Sequence, residues 1–390
     1  MNMNQIPTAG GEKAVLGRRA SHSWLYLALS VCVVSTAQIL MAGSPPGRVV
    51  EWDFYYGYPV MHTNLPSGLT NVVAVAAGGT IGGMHSVALK SDGTVIAWDG
   101  DSPVRTEPPG LSNVVAIAAE GEQCLALKND GTVVGWGSSG DTSWLSNLVA
   151  IAAGRYHALG LKNDSTVVAW GWDTQGQTHV PDGLSNVVAI AADDIQSVAL
   201  LTNGTVVSWG QPPPEGLSNV VAIAAGGYAD FAGRNLALKN DGTVFAWGSM
   251  DWEVPEGLSN VLAADVGETH YIAVKSDGTV FPWGMGYGGS TDLPEGLSNI
   301  VAIAAGSAHN LAITVDLKID SFELTNQTPA IGFHTFSGRQ YAVEYSADLG
   351  PGSWTNLPGA TFSGNGLNAV VMDTNAVAGA ASRFYRVKQF

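Results

Sequence analysis

The chain has 390 residues, and 33 acidic residues against 17 basic ones give it a net charge of −16. This balance argues against DNA or RNA as a partner, because affinity for nucleic acids rests on lysine and arginine that neutralise phosphates. The two cysteines, Cys32 and Cys124, are too few for a disulfide framework or a cysteine metal cluster, and we expect neither a cofactor nor a metal.

Residues 1–42 have the pattern of a secretory signal peptide. An arginine pair precedes an apolar run from Trp24 to Val34, and small residues around Ala37 offer a cleavage site. The pattern predicts export, so we expect a secreted, periplasmic or cell-surface protein. The alternative is an uncleaved membrane anchor, because the segment from Trp24 to Ala42 is long and mostly apolar.

A unit close to Leu-Ser-Asn-Val-Val-Ala-Ile-Ala-Ala-Gly recurs about every 40 residues, which indicates a repeat architecture. Its leading residues are Leu69, Leu111, Leu145, Leu184, Leu217, Leu258 and Leu297. A second apolar strand, an Asp-Gly turn and a third strand ending in Trp-Gly complete the unit. We predict three β-strands per unit, with a turn such as Asp92-Gly93 in which both residues adopt positive φ.

The seventh unit lacks its third strand, and the missing strand stands at the start of the chain. The unit stops at Thr314, whereas Arg48–Trp52 has the pattern of that strand. Seven signature tryptophans then match seven units: Trp52, Trp98, Trp136, Trp170, Trp209, Trp247 and Trp283. Pairing the N-terminal strand with the last unit removes two open sheet edges. The sequence therefore predicts an all-β fold, a seven-bladed β-propeller over residues 47–314 closed by an N-terminal strand.

These repeats resemble the RCC1 repeat family. The motif Ala-Ala-Gly…His-Ser-Val-Ala-Leu-Lys…Asp-Gly-Thr-Val-Ile-Ala-Trp of the first unit carries the likeness, which extends over about residues 47–314. In their short length and N-terminal closing strand they are similar to the bacterial β-lactamase inhibitor protein II family. The resemblance implies a propeller and leaves the function open, because one fold hosts many functions.

From residue 316 to residue 390 the pattern changes to short alternating strands such as Tyr341–Tyr345 and Phe384–Val387. We predict a small β-sandwich, which resembles the fibronectin-like modules of secreted bacterial proteins. Its aromatic residues are interpreted as core, and a role in surface retention is a hypothesis.

One position of the unit holds a histidine in four copies and glutamine or arginine in the others. The residues there are His85, Gln123, His157, Gln196, Arg234, His270 and His309. A ring of histidines near a propeller axis could hold a metal. The favoured interpretation is hydrogen bonding to the adjacent loop, because glutamine and arginine can also do this and a metal ring would not tolerate arginine.

Strand order places the loops after Ala-Ala-Gly and after Trp-Gly on one face of the predicted propeller. Irregular aromatic and acidic residues collect on this loop face, as is typical of interface anchors. The candidates are Tyr55, Tyr56, Met84, Tyr156, Trp172, Asp173, Tyr228, Phe231, Asp251, Trp252 and Tyr287. The resemblance to the inhibitor family supports this face, since aromatic residues on the same loops contact the target enzyme there. The alternative is that the aromatic residues cover seams between blades.

The favoured hypothesis is a monomeric, non-catalytic binding protein outside the cytoplasm, whose partner is a protein with a basic patch or a glycan. It would contact a membrane only through an uncleaved N-terminal segment. One alternative is an inhibitor of an extracytoplasmic enzyme such as a β-lactamase or penicillin-binding protein. Another is a lyase or glycosidase at the propeller axis, which needs clustered carboxylates there. The sequence shows no Ser-His-Asp set, HExxH motif or phosphate loop, so no catalytic residue is predicted.

Overall fold

The computed structural model describes residues 47–55, 58–61, 65–80, 83–99, 107–209, 213, 215–227, 233–248, 253–284, 292–295, 297–315, 321–325, 328–335, 340–346, 355–364, 368–373 and 384–389. The predicted signal peptide or anchor at 1–42 lies outside these ranges. Within them the regular elements are β-strands, and no helix has the length and apolar character that crossing a bilayer requires.

The repeat region is built from short strands that follow the predicted three-strand unit. In chain order they are β1 (Arg48–Tyr55), β2 (Tyr58–Met61), β3 (Val72–Thr80), β4 (Gly83–Lys90), β5 (Val95–Asp99), β6 (Val114–Glu120), β7 (Gln123–Lys128), β8 (Val133–Gly137), β9 (Leu148–Ala153), β10 (His157–Lys162), β11 (Val167–Gly171), β12 (Val187–Ala192), β13 (Ser197–Leu201), β14 (Val206–Trp209), β15 (Val220–Gly226), β16 (Arg234–Lys239), β17 (Val244–Gly248), β18 (Val261–Val266), β19 (His270–Lys275), β20 (Val280–Gly284), β21 (Ile300–Ala305) and β22 (His309–Thr314).

These strands form seven antiparallel sheets within the described part of 47–315. The first to sixth sheets each take three consecutive strands, from β3-β4-β5 to β18-β19-β20, and the seventh has the order β2-β1-β22-β21. The first strand of each unit contacts that of the next, from β3 through β6, β9, β12, β15 and β18 to β21, and β21 contacts β3. The sheets therefore form a closed ring, and the prediction of an all-β propeller is confirmed.

The N-terminal strand closes this ring. β1 pairs antiparallel with β22, with Arg48 opposite Thr314 and Asp53 opposite His309. The backbone nitrogen of Gly47 also donates a 3.1 Å hydrogen bond to the carbonyl of Val72, in the first sheet. The same short segment thus joins the last sheet to the first, which confirms the predicted closure.

Two candidate residues lie in strands rather than in the predicted loops. β1 continues past the signature tryptophan because β2 folds back on it, and Tyr55 pairs with Tyr58 in that hairpin. Met84 belongs to β4 and pairs with Gly79 of β3. Gly79 has φ +117°, and an added Cβ there would lie 2.7 Å from the Met84 Cα. Glycine therefore lets this hairpin continue through the segment predicted as a loop.

The Asp-Gly turns differ from the predicted two-residue type. Gly93 has φ +78°, whereas Asp92 does not adopt positive φ. The carboxylate of Asp92 instead accepts a 3.0 Å hydrogen bond from the backbone nitrogen of Thr94, and Lys90 and Thr94 close the loop through a backbone bond of 2.9 Å. The loop therefore has three residues, with only its last residue in the left-handed region.

The core of the ring lies between neighbouring sheets. One cluster joins Ala76 and Val87 of the first sheet to Ile117 and Cys124 of the second. Alanines on the first strand of each unit let adjacent sheets approach closely, and the larger aliphatic side chains fill the space between them. Cys124 is buried in this cluster, which confirms its interpretation as a small core residue.

The C-terminal segment forms two further sheets. Its strands are β23 (Ser321–Thr325), β24 (Thr328–His334), β25 (Gln340–Ser346), β26 (Thr355–Ser363), β27 (Asn368–Met372) and β28 (Phe384–Gln389). They pair in the orders β23-β24-β27 and β26-β25-β28. Phe333 of one sheet and Tyr341 of the other share a buried core, with ring centroids 5.9 Å apart. The two sheets thus pack face to face, while the fibronectin-like resemblance and the domain division at residues 314–316 stay predictions.

Candidate functional site

The two loops at one end of the third sheet bring Tyr156 and Trp172 together. Tyr156 immediately precedes β10, and Trp172 immediately follows β11. Because His157 pairs with Gly171, the two aromatic residues leave the sheet side by side. The backbone nitrogen of Trp172 donates a 2.8 Å hydrogen bond to the carbonyl of Tyr156, which fixes the spacing of the two loops.

The two rings form an exposed edge-to-face pair. Their centroids are 5.1 Å apart with an interplanar angle of 80°, and Tyr156 and Trp172 remain 42% and 57% exposed. The guanidinium of Arg155 lies 5.3 Å from the Tyr156 ring centroid, within the range of a cation–π contact. Arg155, Tyr156 and Trp172 are called the aromatic patch below.

Asp173, beside the patch, stabilises its own loop. Its carboxylate lies 2.7 Å from the ring nitrogen of His179 and accepts a 2.9 Å hydrogen bond from the backbone nitrogen of Thr178. Hydrogen bonds from Thr178 hold the pKa of Asp173 below its usual value. Asp173 is therefore ionised at neutral pH, and both of its carboxylate oxygens have partners within the loop.

The structure brings together only part of the predicted loop face. Tyr156, Trp172 and Asp173 lie side by side at the end of the third sheet, whereas Tyr55 and Met84 lie in strands of the seventh and first sheets. The other candidates lie outside the described residues, namely Tyr56, Tyr228, Phe231, Asp251, Trp252 and Tyr287.

The recurring histidine position joins neighbouring sheets. Nε2 of His157 lies 2.8 Å from the Ser197 hydroxyl in the next sheet, and Nε2 of His270 lies 2.7 Å from Oδ1 of Asn310. The Gln123 side chain donates to the His157 carbonyl at 2.6 Å. These side chains thus form hydrogen bonds, as interpreted, but the partners lie in strands of the next sheet rather than in the adjacent loop. In the described part of the chain, no group of three or more His, Cys, Asp or Glu side chains is placed to hold a metal ion.

The sequence interpretation missed a group of buried carboxylates at the same end of the ring. They are Glu120 of the second sheet, Asp193 and Asp194 of the fourth, and Asp265 and Glu268 of the sixth, and all are buried. They stand in or just after the Ala-Ala-Gly segments, where the other units have small residues except for Arg155 of the third unit. This departure from the repeat was the available signal. These residues are called the axial carboxylates below.

Burial raises the pKa of several axial carboxylates. It brings the pKa of Asp193 and of Asp265 to about 7. The pKa of Glu120 is raised well above its usual value by burial and by the charges of Asp265, Glu268, Asp193 and Asp194. These charges come from the fourth and sixth sheets, whereas Glu120 belongs to the second, so acidic groups of three sheets influence one another within the ring.

Two of these carboxylates have structural partners. Oδ1 of Asp193 accepts backbone hydrogen bonds from Ile195 at 2.8 Å and Gln196 at 2.9 Å. Oδ2 of Asp265 accepts a 2.9 Å hydrogen bond from the Ala305 backbone in the seventh sheet. Asp194 differs, because both of its oxygens are buried and neither has a hydrogen-bond partner in the described part of the structure.

A second exposed tryptophan, Trp144, was also missed. It is 56% exposed and precedes β9, so it lies at the end of the third sheet opposite the aromatic patch. Its indole nitrogen donates a 3.0 Å hydrogen bond to the carbonyl of Asp141. Trp144 therefore offers a comparison for Trp172 in the same sheet, with nearly equal exposure.

The third unit, which carries the aromatic patch, is the part of the chain that matches a known family. Residues 148–177 match the family model of the regulator of chromosome condensation (RCC1) repeat. The match covers one of the seven repeat units. No curated protein sequence matches the chain significantly.

Solved structures share the RCC1-like propeller. Prp20p from Saccharomyces cerevisiae is 18% identical, the match covers 75% of this chain and 95% of that one, and the TM-score is 0.57. Human WBSCR16 is 16% identical over 69% of this chain and 98% of that one, with a TM-score of 0.52. The CRINKLY ectodomain of the Arabidopsis thaliana receptor kinase ACR4 is 20% identical over 63% and 92%, with a TM-score of 0.52. At these identities the likeness establishes the fold. The similarity to the β-lactamase inhibitor family stays a prediction.

Proposed function

We propose that this chain is a non-catalytic binding scaffold whose aromatic patch contacts a partner protein. The observation that carries the proposal is the exposed edge-to-face pair of Tyr156 and Trp172, which a backbone hydrogen bond holds between two loops. Large aromatic side chains and arginine are the residues that most often dominate the binding energy of protein interfaces.

The geometry of the patch suits binding because its side chains lose little conformational freedom when a partner binds. Each ring already limits the motion of the other, and Arg155 lies over the Tyr156 ring. An interface loses less conformational entropy when its anchors are held in place before the partner arrives. The alternative, in which the two rings cover a seam between blades, conflicts with the large exposed fraction of both side chains.

A protein with a basic patch is the partner that the charge favours. The chain carries a net charge of −16, which attracts cationic surfaces and repels nucleic acid. The structure of Prp20p was reported together with its binding to Gsp1p and histones, and a second structure shows it bound to Kap60. These proteins support a protein partner for a propeller of this type, without identifying the partner of this chain.

We further propose that the partner is met outside the cytoplasm, since residues 1–42 have the pattern of an export signal. Expression of the full chain followed by mass spectrometry of its N-terminus tests this. Cleavage near Ala37 or Ala42 and recovery from the periplasm or medium would support export. An intact N-terminus in the cytoplasmic fraction would contradict it.

The experiment for the aromatic patch compares two tryptophans of the same sheet. The exported chain is immobilised, partners are captured from the periplasmic or medium fraction, and the affinity of one identified partner is measured by calorimetry. We expect Trp172→Ala to weaken binding at least about tenfold, as for an interface hot spot. Trp144→Ala, at the opposite end of the sheet, should leave the affinity unchanged. Equal effects of both substitutions, with both variants folded, would contradict the proposal.

The alternatives are separated by assays on the same purified protein. Titration against a panel of β-lactamases and penicillin-binding proteins tests the inhibitor function, and a glycan array tests sugar binding through the exposed rings. The lyase or glycosidase alternative requires carboxylates near the axis. It predicts turnover of polysaccharide substrates that Glu120→Gln or Asp194→Asn abolishes. Absence of turnover across such substrates would count against it.

A further inference from the structure

The axial carboxylates stand at equivalent ends of alternate sheets. Glu120 ends β6, Asp193 and Asp194 follow β12, and Asp265 and Glu268 lie at the end of β18. The first strands of the units contact one another around the closed ring. The second, fourth and sixth sheets therefore direct these acidic residues toward the same end of the ring from three sides.

The strand ends approach each other closely at this position. A Cβ added to Gly154 of the third sheet would clash with the carbonyl of Asp193, and one added to Gly78 of the first would lie 3.1 Å from the Glu120 backbone nitrogen. The backbone that carries the acidic residues is therefore closely packed between neighbouring sheets. The charges of the fourth and sixth sheets also contribute to the raised pKa of Glu120, as expected for groups that share one poorly solvated region.

Asp194 is the axial carboxylate whose burial is not offset by hydrogen bonds within the described part of the chain. Only 2% of the residue is exposed, and neither carboxylate oxygen has a hydrogen-bond partner in the described part of the chain. The positive charge of Arg155 only partly opposes the effect of burial on its pKa. The hydroxyl of Ser307, just after β21 at the same end of the ring, is also buried and without a partner among the described residues. Leaving such groups buried is costly, so they point to a ligand that supplies hydrogen-bond donors and positive charge.

We propose that the axial carboxylates bind the alkylammonium groups of a linear organic cation, with Asp194 as the main acceptor and Glu120 as the second. A single metal ion fits less well, because no three carboxylates of the described chain lie close enough together to coordinate one. Charges that are spread over three sheets instead suit several ammonium groups along one chain, each of which donates to a different carboxylate. The proposal does not rest on the proposed function of the aromatic patch, although Arg155 of the patch lies near Asp194 and contributes to its electrostatics.

Spermidine is the probe for a free polyamine, and the peptide trilysine is the probe for lysine side chains of a protein. Calorimetric titration of each into the full chain should show saturable binding of at least one probe. We expect Asp194→Asn and Glu120→Gln each to weaken that binding at least about tenfold. Both substitutions keep the shape of the side chain, so the variants should fold. Far-ultraviolet circular dichroism and urea unfolding check this.

The matched control is Asp182→Asn, which removes an equal charge from an exposed loop before β12, at the opposite end of the fourth sheet. Its affinity for the probe should stay within about twofold of the unsubstituted protein. Binding of spermidine alone would identify a free polyamine, and binding of trilysine alone would identify lysine side chains. The proposal is overturned if neither probe binds, if Asp194→Asn binds as well as Asp182→Asn, or if calcium chloride competes fully at equal ionic strength.

Discussion

The carboxylate of Glu51 accepts a 2.9 Å hydrogen bond from the indole nitrogen of Trp98, across the junction between the closing strand and the first sheet. Its other oxygen accepts a 2.7 Å hydrogen bond from the Ser86 hydroxyl. Nε2 of His309 lies 3.9 Å from the same carboxylate. Glu51 belongs to β1 but binds side chains of the first sheet, while its backbone pairs with the seventh. One buried side chain thus reinforces the closure that the backbone begins.

We expect Glu51→Gln to lower the free energy of unfolding by about 1–3 kcal/mol, because two buried hydrogen bonds lose their charged acceptor and an amide nitrogen replaces one oxygen. Urea denaturation followed by tryptophan fluorescence measures the change. The control is Glu253→Gln, an exposed glutamate, which should shift the midpoint only slightly. If both variants unfold at the same urea concentration, the Glu51 contacts do not stabilise the closure.

The inter-sheet position at His157 should tolerate glutamine better than alanine. The Ser197 hydroxyl donates to the carbonyl of Gln177 at 2.8 Å, so it accepts its second hydrogen bond from Nε2 of His157. Burial lowers the pKa of His157 to about 4, which keeps the ring neutral. We expect His157→Ala to lower the free energy of unfolding by about 1–3 kcal/mol. His157→Gln should lower it by less than half as much, because the glutamine amide can still donate a hydrogen bond. Thermal unfolding measures both, and equal losses would contradict a hydrogen-bonding role.

The turn after β10 offers a stabilising substitution. Ser165 has φ +65°, a left-handed conformation that glycine adopts at other copies of this turn. We expect Ser165→Gly to raise the free energy of unfolding by about 0.5–1 kcal/mol, since the strain of a side chain in this region is removed. The reverse change at the equivalent Gly131, which has φ +79°, should destabilise by about 1 kcal/mol. Changes of the same sign at both positions would exclude this explanation.

Stability should depend on pH through Asp265. Its pKa is about 7 in the folded chain because of burial, against a usual value of 3.8. The folded state therefore binds the proton more tightly than the unfolded state. The proton on Asp265 therefore contributes to the free energy of unfolding, and this contribution decreases as the pH rises from about 4 through 7.

The substitution Asp265→Asn removes this dependence while keeping an oxygen that can accept from the Ala305 backbone. We compare the free energy of unfolding of the variant with that of the unsubstituted protein. The difference should favour the variant by about 2 kcal/mol more at about pH 8.5 than at about pH 5.5. Urea denaturation of both proteins at the two pH values measures it. His157 and His270, with pKa values lowered to about 4 by burial, act in the opposite direction below about pH 6.5. Both proteins contain these histidines, so the histidine contributions cancel when the two are compared at the same pH. A difference in the free energy of unfolding that is the same at both pH values would contradict the role of Asp265.

The repeat pattern by itself determined the strands, their order and the closure of the ring. Alternating apolar residues and turn residues act locally, so the missing third strand after Thr314 and its replacement at Arg48–Trp52 could be recognised without coordinates. The position of Tyr156 just before a strand and of Trp172 just after another predicted that both lie on the loop face. The sequence also singled out the histidine position, because departures from a consensus are visible wherever a unit repeats.

Only the tertiary structure decided which side chains meet. Glu120 and Asp265 are far apart in sequence, and they come to share one poorly solvated region because the closed ring places the ends of the second and sixth sheets around a common centre. The partners of His157 and Glu51 likewise belong to other sheets. Strand spacing sets the local geometry of one unit, whereas the packing of neighbouring sheets sets contacts between units. The contacts between units therefore depend on the three-dimensional arrangement of the whole ring.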